Sequence, residues 1–418
     1  MRSAQIVLFS FFIVFMGFPV TVQSQEEATV TLKSLEAEAL ANNPGIRMAD
    51  QKAESAGERK SLASAMPDPM IGYMVQNVGA LGTSTVGKEE MSMEGFVVTQ
   101  EVPFPGKLST KGNVARKQAE QSQENAREMK LKVLSELRTA YYDYYLAHRS
   151  RRILEETKEL MKNLQRIAET RYATGQGTQQ DVLRAQLEVS MLLDRIAEQD
   201  QKKESRAAVL NALVGRDPLA PLGMPVDVFP AAVPVSLDEM SRMALAHSPV
   251  LMAKQRMVEQ SEFELSMSKR EYLPDMTVSA GRFTRGDMPD VWQASVMFQV
   301  PLYFWNKAGG VRAARADLNS SRFDYEAEKL TTLARVRDLY SMAKTAEHHL
   351  HLYETGIIPQ ARLSLQSATS NYQVGKTDFM ALLDSENVLL RYQLIEQEQL
   401  VNLNKTLSMI GEITGMNE

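Results

Sequence analysis

The stretches YQVGKTDFMALLD at 372–384 and YATGQGTQQDVLR at 172–184 decide how this chain is read. A shift of 200 superposes Tyr172 on Tyr372, Gly175 on Gly375, Val182 on Leu382 and Leu183 on Leu383. Each stretch ends one long helical pattern and opens another. Glycine adopts the positive φ at which helices stop. Thr178 or Thr377 can accept from the backbone N–H groups that open the next helix. Each stretch is therefore expected to be the tip of a helical hairpin, and two tips imply an internally duplicated chain.

Backwards from the first tip, residues 108–172 hold no proline and only Gly112. Within them Ala126, Val133, Ala140, Ala147, Leu154, Met161 and Ala168 recur every seven residues, the period of a coiled-coil seam. About 65 residues at 1.5 Å each give a rod of roughly 100 Å, too long for the core of an ordinary globular domain. The return helix is expected over 179–214, stopped by Gly215 and Pro218. Around the second tip the expected helices are 311–372, interrupted at Gly356 and Pro359, and 378–410, stopped by Gly411.

Ahead of each long helix lie two runs of the 9 to 11 residues or so that a tilted transmembrane strand needs. They are 70–78 and 92–102 in the first half, 276–285 and 291–300 in the second. In the last, Trp292, Ala294, Val296, Phe298 and Val300 alternate with Gln293, Ser295, Met297 and Gln299, giving one face for lipid and one for water. Trp292, Tyr303, Phe304 and Trp305 lie near its ends, where interfacial aromatics belong. Four strands cannot close a barrel, and lipid tolerates no open sheet edge, so the barrel must be shared between subunits.

Other landmarks repeat. LKSLEAEALANNP at 32–44 is matched by LDEMSRMALAHSP at 237–249. The expected organisation is a signal peptide at 1–24, a first repeat at 25–217, a proline-rich linker at 218–235 and a second repeat at 236–418. Residues 1–24 carry Arg2, an apolar run from Ile6 to Val20, and small residues before a possible cut, the pattern of a secretory leader. Without Arg2, 46 of the 47 basic side chains remain against 52 acidic ones, net −6, which argues against a nucleic-acid partner. Cysteine is absent, which excludes disulfides, thiolate metal sites and a cysteine-borne lipid.

The turns, GIIPQA at 356–361, VPLYFWNKAGG at 300–310 and QEVPFPGK at 100–107, taken in their order and spacing, resemble the TolC-type outer-membrane efflux family. The resemblance covers nearly the whole mature chain. It implies a mainly α protein with a β-barrel portion. Long antiparallel hairpins and four transmembrane strands per subunit would form a homotrimeric duct in the bacterial outer membrane, with its helical tunnel in the periplasm. It further implies a periplasmic adaptor docking at the tips around Gly175 and Gly375 and an inner-membrane pump supplying energy. The wording is most similar to exit ducts of heavy-metal and multidrug resistance-nodulation-division systems. No GxxxxGK[ST] phosphate loop is present, consistent with passive conduction and no cofactor.

In the family, acidic side chains six and nine residues after the turn glycine ring the aperture. Carried over, Gly375 plus nine is Asp384, but plus six is Ala381. Gly175 plus six is Asp181, the second aperture candidate beside Asp384 and the position that in relatives helps latch the closed state. Tyr372 matches a latch tyrosine, while the basic latch position is Thr377, with Lys376 adjacent. His348, His349 and His351 invite a metal reading, but no third ligand on their face is visible and a packing or surface role is expected. Tyr141, Tyr142, Tyr144 and Tyr145 are expected to pack. A secreted or periplasmic coiled-coil scaffold or adhesin is the rival reading; it leaves the paired strands without a purpose. No cluster of nucleophile, base and orienting group suggests an enzyme.

Overall fold

The computed structural model describes residues 29–77, 79, 84–233 and 235–415. The expected signal peptide, Val78 and the last three residues lie outside them. Short β1 (Thr29–Val30) leads into α1 (Leu32–Asn42) and α2 (Pro44–Ser64). Then come β2 (Met70–Gln76), β3 (Met93–Val102), α3 (Lys107–Ala173) and α4 (Gln179–Val214). After β4 (Met224–Pro225) follow α5 (Leu237–His247), α6 (Pro249–Arg270), β5 (Asp275–Arg285) and β6 (Met288–Gln299). The chain closes with α7 (Phe304–Leu352), a π-helical turn (Tyr353–Ile357), α8 (Ile358–Gln373) and α9 (Phe379–Thr414).

The helix α3 has 67 residues and is about 100 Å long. It packs against α2, α4, α6 and α9. All seven heptad residues from Ala126 to Ala168 are buried along it. The second long helix departs from its expected bounds. It begins at Phe304, so Phe304 and Trp305 belong to its first turn, and glycines 309 and 310 do not delay it. It also does not run straight to the tip. Pro359 has no N–H to give the carbonyl four residues back, and the Ile358 N–H reaches five residues back to the Tyr353 oxygen, which makes the π turn.

Four strands form one antiparallel sheet in the order β2-β3-β5-β6. Its register puts Ile71 opposite Val98, Tyr73 opposite Phe96 and, across the other ladder, Val278 opposite Val296 and Met276 opposite Phe298. Directly opposed residues share a face. One face is therefore mainly apolar, with Ile71 75% and Phe96 65% exposed, and is interrupted by Gln100 and, toward the β2–β3 and β5–β6 turns, by Glu94 and Arg282. The other carries Gly72, Thr99, Ser279, Ser295, Gln293 and Gln299, with a 2.7 Å hydrogen bond between the Ser279 and Ser295 hydroxyls. Among the described residues β2 and β6 each have a free edge. Where sheet meets helices, Lys107 donates to Asp275 and to the Leu273 carbonyl, both at 2.9 Å, and the Phe104 N–H donates to Asp275 at 2.7 Å.

At the middle of the rod the linker wraps the helices. Tyr141, Tyr144 and Tyr145 are buried there. The Tyr141 hydroxyl donates to the Val30 carbonyl and accepts from the Val226 N–H, both at 3.2 Å, which ties the β1–β4 pair to α3. At the far end of the rod a separate apolar cluster joins α3, α4, α8 and α9 through residues such as Met161, Leu192, Leu365 and Leu382.

Candidate gate at the helical tips

The two turns at this far end share one backbone. Gly175 and Gly375 have φ of 73° and 76°. Each glycine N–H reaches the carbonyl of the tyrosine three residues back, at 3.0 Å in both turns. The next N–H closes a wider loop, Gln176 to the Arg171 oxygen at 2.8 Å and Lys376 to the Asn371 oxygen at 2.9 Å. This bonding satisfies carbonyls that a helix end would otherwise leave open.

The caps that follow differ in chemistry. Thr178 accepts from the Asp181 N–H at 3.2 Å and also donates its hydroxyl to that carboxylate at 2.9 Å. In the second tip the cap is Asp378, accepting from the Ala381 N–H at 2.9 Å. The expectation that Thr377 would cap α9 is thus corrected: the cap stands three residues after the glycine in both tips, which leaves Thr377 one residue short, at the position Gly177 holds in the first tip. Thr377 is half-buried, and Lys376 is exposed with no salt bridge among the described residues.

Tyr372 and Tyr172 occupy equivalent backbone positions but opposite environments. Tyr172 is half exposed, whereas Tyr372 is 2% exposed and packs its ring against Phe379. The Tyr372 hydroxyl donates to Asp181 Oδ2 at 3.4 Å, so the structure brings these two sequence candidates together. Burial, reinforced by the Asp181 charge, pushes the Tyr372 hydroxyl up to about 12, and the nearby Arg171 opposes this. The phenol therefore stays protonated and able to donate.

Asp384 is exposed on α9. It opens a groove of about 430 Å³ that Arg195 of α4 and Asn387, Arg391 and Glu398 of α9 also line. A carboxylate so placed meets the aqueous phase with two guanidinium groups within the same groove.

Two groups at this end were not singled out from sequence. Glu386 lies on the α9 seam with Phe379, Leu382 and Leu390, only 2% exposed, and its Oε2 has no partner. Burial, with Glu188 adding to it and Arg195 opposing it, pushes this carboxyl up to about 7. Its spacing of four and seven residues from Leu382 and Phe379 was the available signal. Arg171, in the last turn of α3, was the other; a basic residue just before a helix-stopping glycine is the cue.

Elsewhere, His348 and His351 are exposed, and His349 stands 5.9 Å from the Tyr353 ring. Among the described residues no group of three or more His, Cys, Asp or Glu side chains could hold a metal ion. Trp292 lies within β6 on the apolar face; Tyr303, Phe304 and Trp305 follow that strand, their rings meeting edge to face at 5.4 and 5.5 Å.

Long paired helices, a small antiparallel sheet with one mainly apolar face and closed hairpin tips define the class, a mainly helical subunit carrying a four-stranded sheet. The chain belongs to the outer membrane efflux protein family, whose pattern it matches over residues 35–216 and 240–406. Among its relatives are the probable outer membrane lipoprotein SilC of Salmonella typhimurium, 21% identical over 85% of this chain and 79% of that one. Another is the cation efflux system protein CusC of Escherichia coli strain K12, 20% identical over 86% and 80%. The crystal structure of the outer membrane protein VceC from Vibrio cholerae superposes with a TM-score of 0.80 at 17% identity, covering 92% of this chain and 96% of that one. The chain is an outer-membrane efflux channel protein, and the coiled-coil scaffold reading has no support.

Proposed function

We propose that three copies of this chain assemble into one passive exit duct: a twelve-stranded barrel in the outer membrane continued by a periplasmic tunnel of helices. The carrying observation is the four-stranded sheet with an apolar face and two free edges. Such edges are untenable in lipid, where each unpaired backbone group costs several kcal/mol. Pairing β6 of one copy with β2 of the next is head-to-tail and closes a ring. The aromatic residues Trp292, Tyr303, Phe304 and Trp305 would then mark the two membrane interfaces.

In this reading the chain supplies no energy. An inner-membrane pump of the resistance-nodulation-division type drives the cargo, and a periplasmic adaptor seats on the tips around Gly175 and Gly375. The relation to a cation efflux protein supports metal cations as cargo, with drugs as the other class. Asp384 forms the aperture, three carboxylates about one axis that attract cations and bind divalent ions. Asp181 and Tyr372 hold the closed state; Lys376 and Thr377, lacking comparable contacts, are secondary. With no cysteine in the chain, the anchor is the barrel and not a cysteine-borne lipid.

Planar-bilayer conductance of the detergent-purified protein, measured alongside its oligomer mass, tests this. A trimer with small, cation-selective openings blocked by a divalent ion is expected. Asp384→Ala should lower both cation preference and divalent block; unchanged selectivity would remove Asp384 from the aperture, and a non-conducting soluble monomer would remove the duct.

A further inference from the structure

Arg171 makes the densest set of contacts at the tips, and all of them run from the first turn to the second or back onto its own loop. Its guanidinium donates to the Tyr372 carbonyl, to the Gln373 carbonyl at 3.1 Å and to the Gln176 carbonyl at 2.9 Å. The same group lies over the Tyr372 ring, 4.9 Å from its centroid. Its Nε is buried. Tyr372 and Gln373 are the last residues of α8, so these carbonyls have no partner within the regular helix; the Tyr372 oxygen accepts from the Gly375 N–H of the turn as well as from Arg171. Arg171 itself lies in the last turn of α3, which ends at Ala173. One cation thus stands at the negative ends of two helices at once, where it is electrostatically favoured.

The counterpart of Arg171, 200 residues on, is Asn371. Its side chain reaches only Ser367, within its own helix, at 3.5 Å. The brace is therefore one-sided: an arginine of the first tip reaches the second, and what returns is the single Tyr372 hydroxyl bond to Asp181. Only a planar, multi-donor group on a long stem can bridge several carbonyls while stacking on a ring.

We propose that Arg171 is a positioning residue of the gate, a cross-brace that makes the two hairpin tips one rigid body and supplies the cation that Thr377 does not. Resting on the duct reading, this adds that opening requires Arg171 to leave the end of α8. It acts through Tyr372: the guanidinium covers one face of the ring and fixes the direction in which the hydroxyl meets Asp181. Releasing it frees α8 and α9 to swing independently of α3 and α4.

The chain has no cysteine, so labels can be placed without background. Thr174→Cys and Val374→Cys put one spin label on each exposed tip, and electron–electron distance measurements on the assembled protein report the spacing between them. In the otherwise native protein we expect a narrow distribution. Arg171→Ala should broaden it, and should shift the open-to-closed ratio in bilayers toward open by about tenfold, the scale of one lost charge-assisted hydrogen bond. Arg171→Lys should behave like the alanine variant, because an ammonium neither stacks as a plane nor spans the carbonyls. It also carries the test if Arg171→Ala does not assemble. Native distances and native conductance in Arg171→Lys would reduce the residue to a generic charge and overturn the proposal, as would unchanged distances in Arg171→Ala. If the unsubstituted protein fails to conduct, the duct reading fails, while the label distances still judge the brace.

Discussion

The two tips have the same turn and different anchoring. In each, a tyrosine, a left-handed glycine and a polar cap follow one another at the same spacing, with matching backbone hydrogen bonds. Yet Tyr172 faces solvent while Tyr372 is buried beneath Arg171. Position 186 on α4 is an exposed glutamine, and position 386 on α9 is a buried glutamate. The backbone thus makes a hairpin, and the side chains decide which hairpin is held by its neighbours. The first tip is the support and the second is the supported part.

The largest expected break in that comparison is at Glu386. Its carboxyl is raised by burial, so the packed state favours the protonated form. The tip is therefore most stable at low pH. Stability declines as pH rises from about 4.5 toward 7, and the full cost, on the order of 3 kcal/mol, is present above that. Glu386→Gln should flatten this slope and raise the unfolding midpoint of the helical signal at pH 8, with little change at pH 4. The same experiment on Gln186→Glu should create no such slope, since position 186 meets water. A slope that persists in Glu386→Gln would assign the titration elsewhere.

A smaller break separates the glycines. Alanine at either turn must adopt the left-handed conformation, at a cost of roughly 1 to 2 kcal/mol. A Cβ on Gly175 meets nothing within 4 Å, whereas one on Gly375 comes within 3.3 Å of the Arg171 guanidinium. Gly375→Ala is accordingly expected to destabilise more than Gly175→Ala and, unlike it, to increase channel opening. Equal effects on conductance would mean that the crowding of Arg171 is without consequence.

The long helices and the tips were legible in sequence because each depends on local chemistry. A proline-free run with a seven-residue apolar period has few folds open to it, and Gly175, Gly215 and Gly375 do stop helices at positive φ; Gly411, expected to stop α9, lies inside it, and the helix ends at Gly415 instead. The alternation in β6 was legible for the same reason. The cap of α9 was misread because threonine and aspartate stand side by side at 377 and 378, and both serve as caps; only the spacing from Gly375 separates them. The π turn combines a proline with a five-residue hydrogen bond, and sequence shows the proline alone. Arg171 and Glu386 escaped because their roles depend on neighbours far along the chain. Arg171 bonds to carbonyls of residues 372 and 373, and Glu386 shares the α9 face of Phe379, Leu382 and Leu390, which packs into a cluster of α3, α4, α8 and α9 whose helix rotations no period specifies.

The smallest effect is the most discriminating for the latch itself. The Tyr372 hydroxyl makes one hydrogen bond of 3.4 Å to Asp181, at the long end of the useful range, so Tyr372→Phe should cost about 1 kcal/mol or less. The ring, its tilted packing on Phe379 and the Arg171 cover all survive that change. If the hydroxyl matters for closure, channel opening should rise modestly in Tyr372→Phe, Asp181→Ala should act alike, and combining the two should add nothing, because both remove the same bond. Tyr172→Phe, which removes an exposed hydroxyl, should leave opening unchanged. Additive effects of Tyr372→Phe and Asp181→Ala would instead mean that Asp181 holds the tip through its contact with Thr178, and the polar link between the two tips would rest on Arg171 and on the contact of Arg184 with Met380.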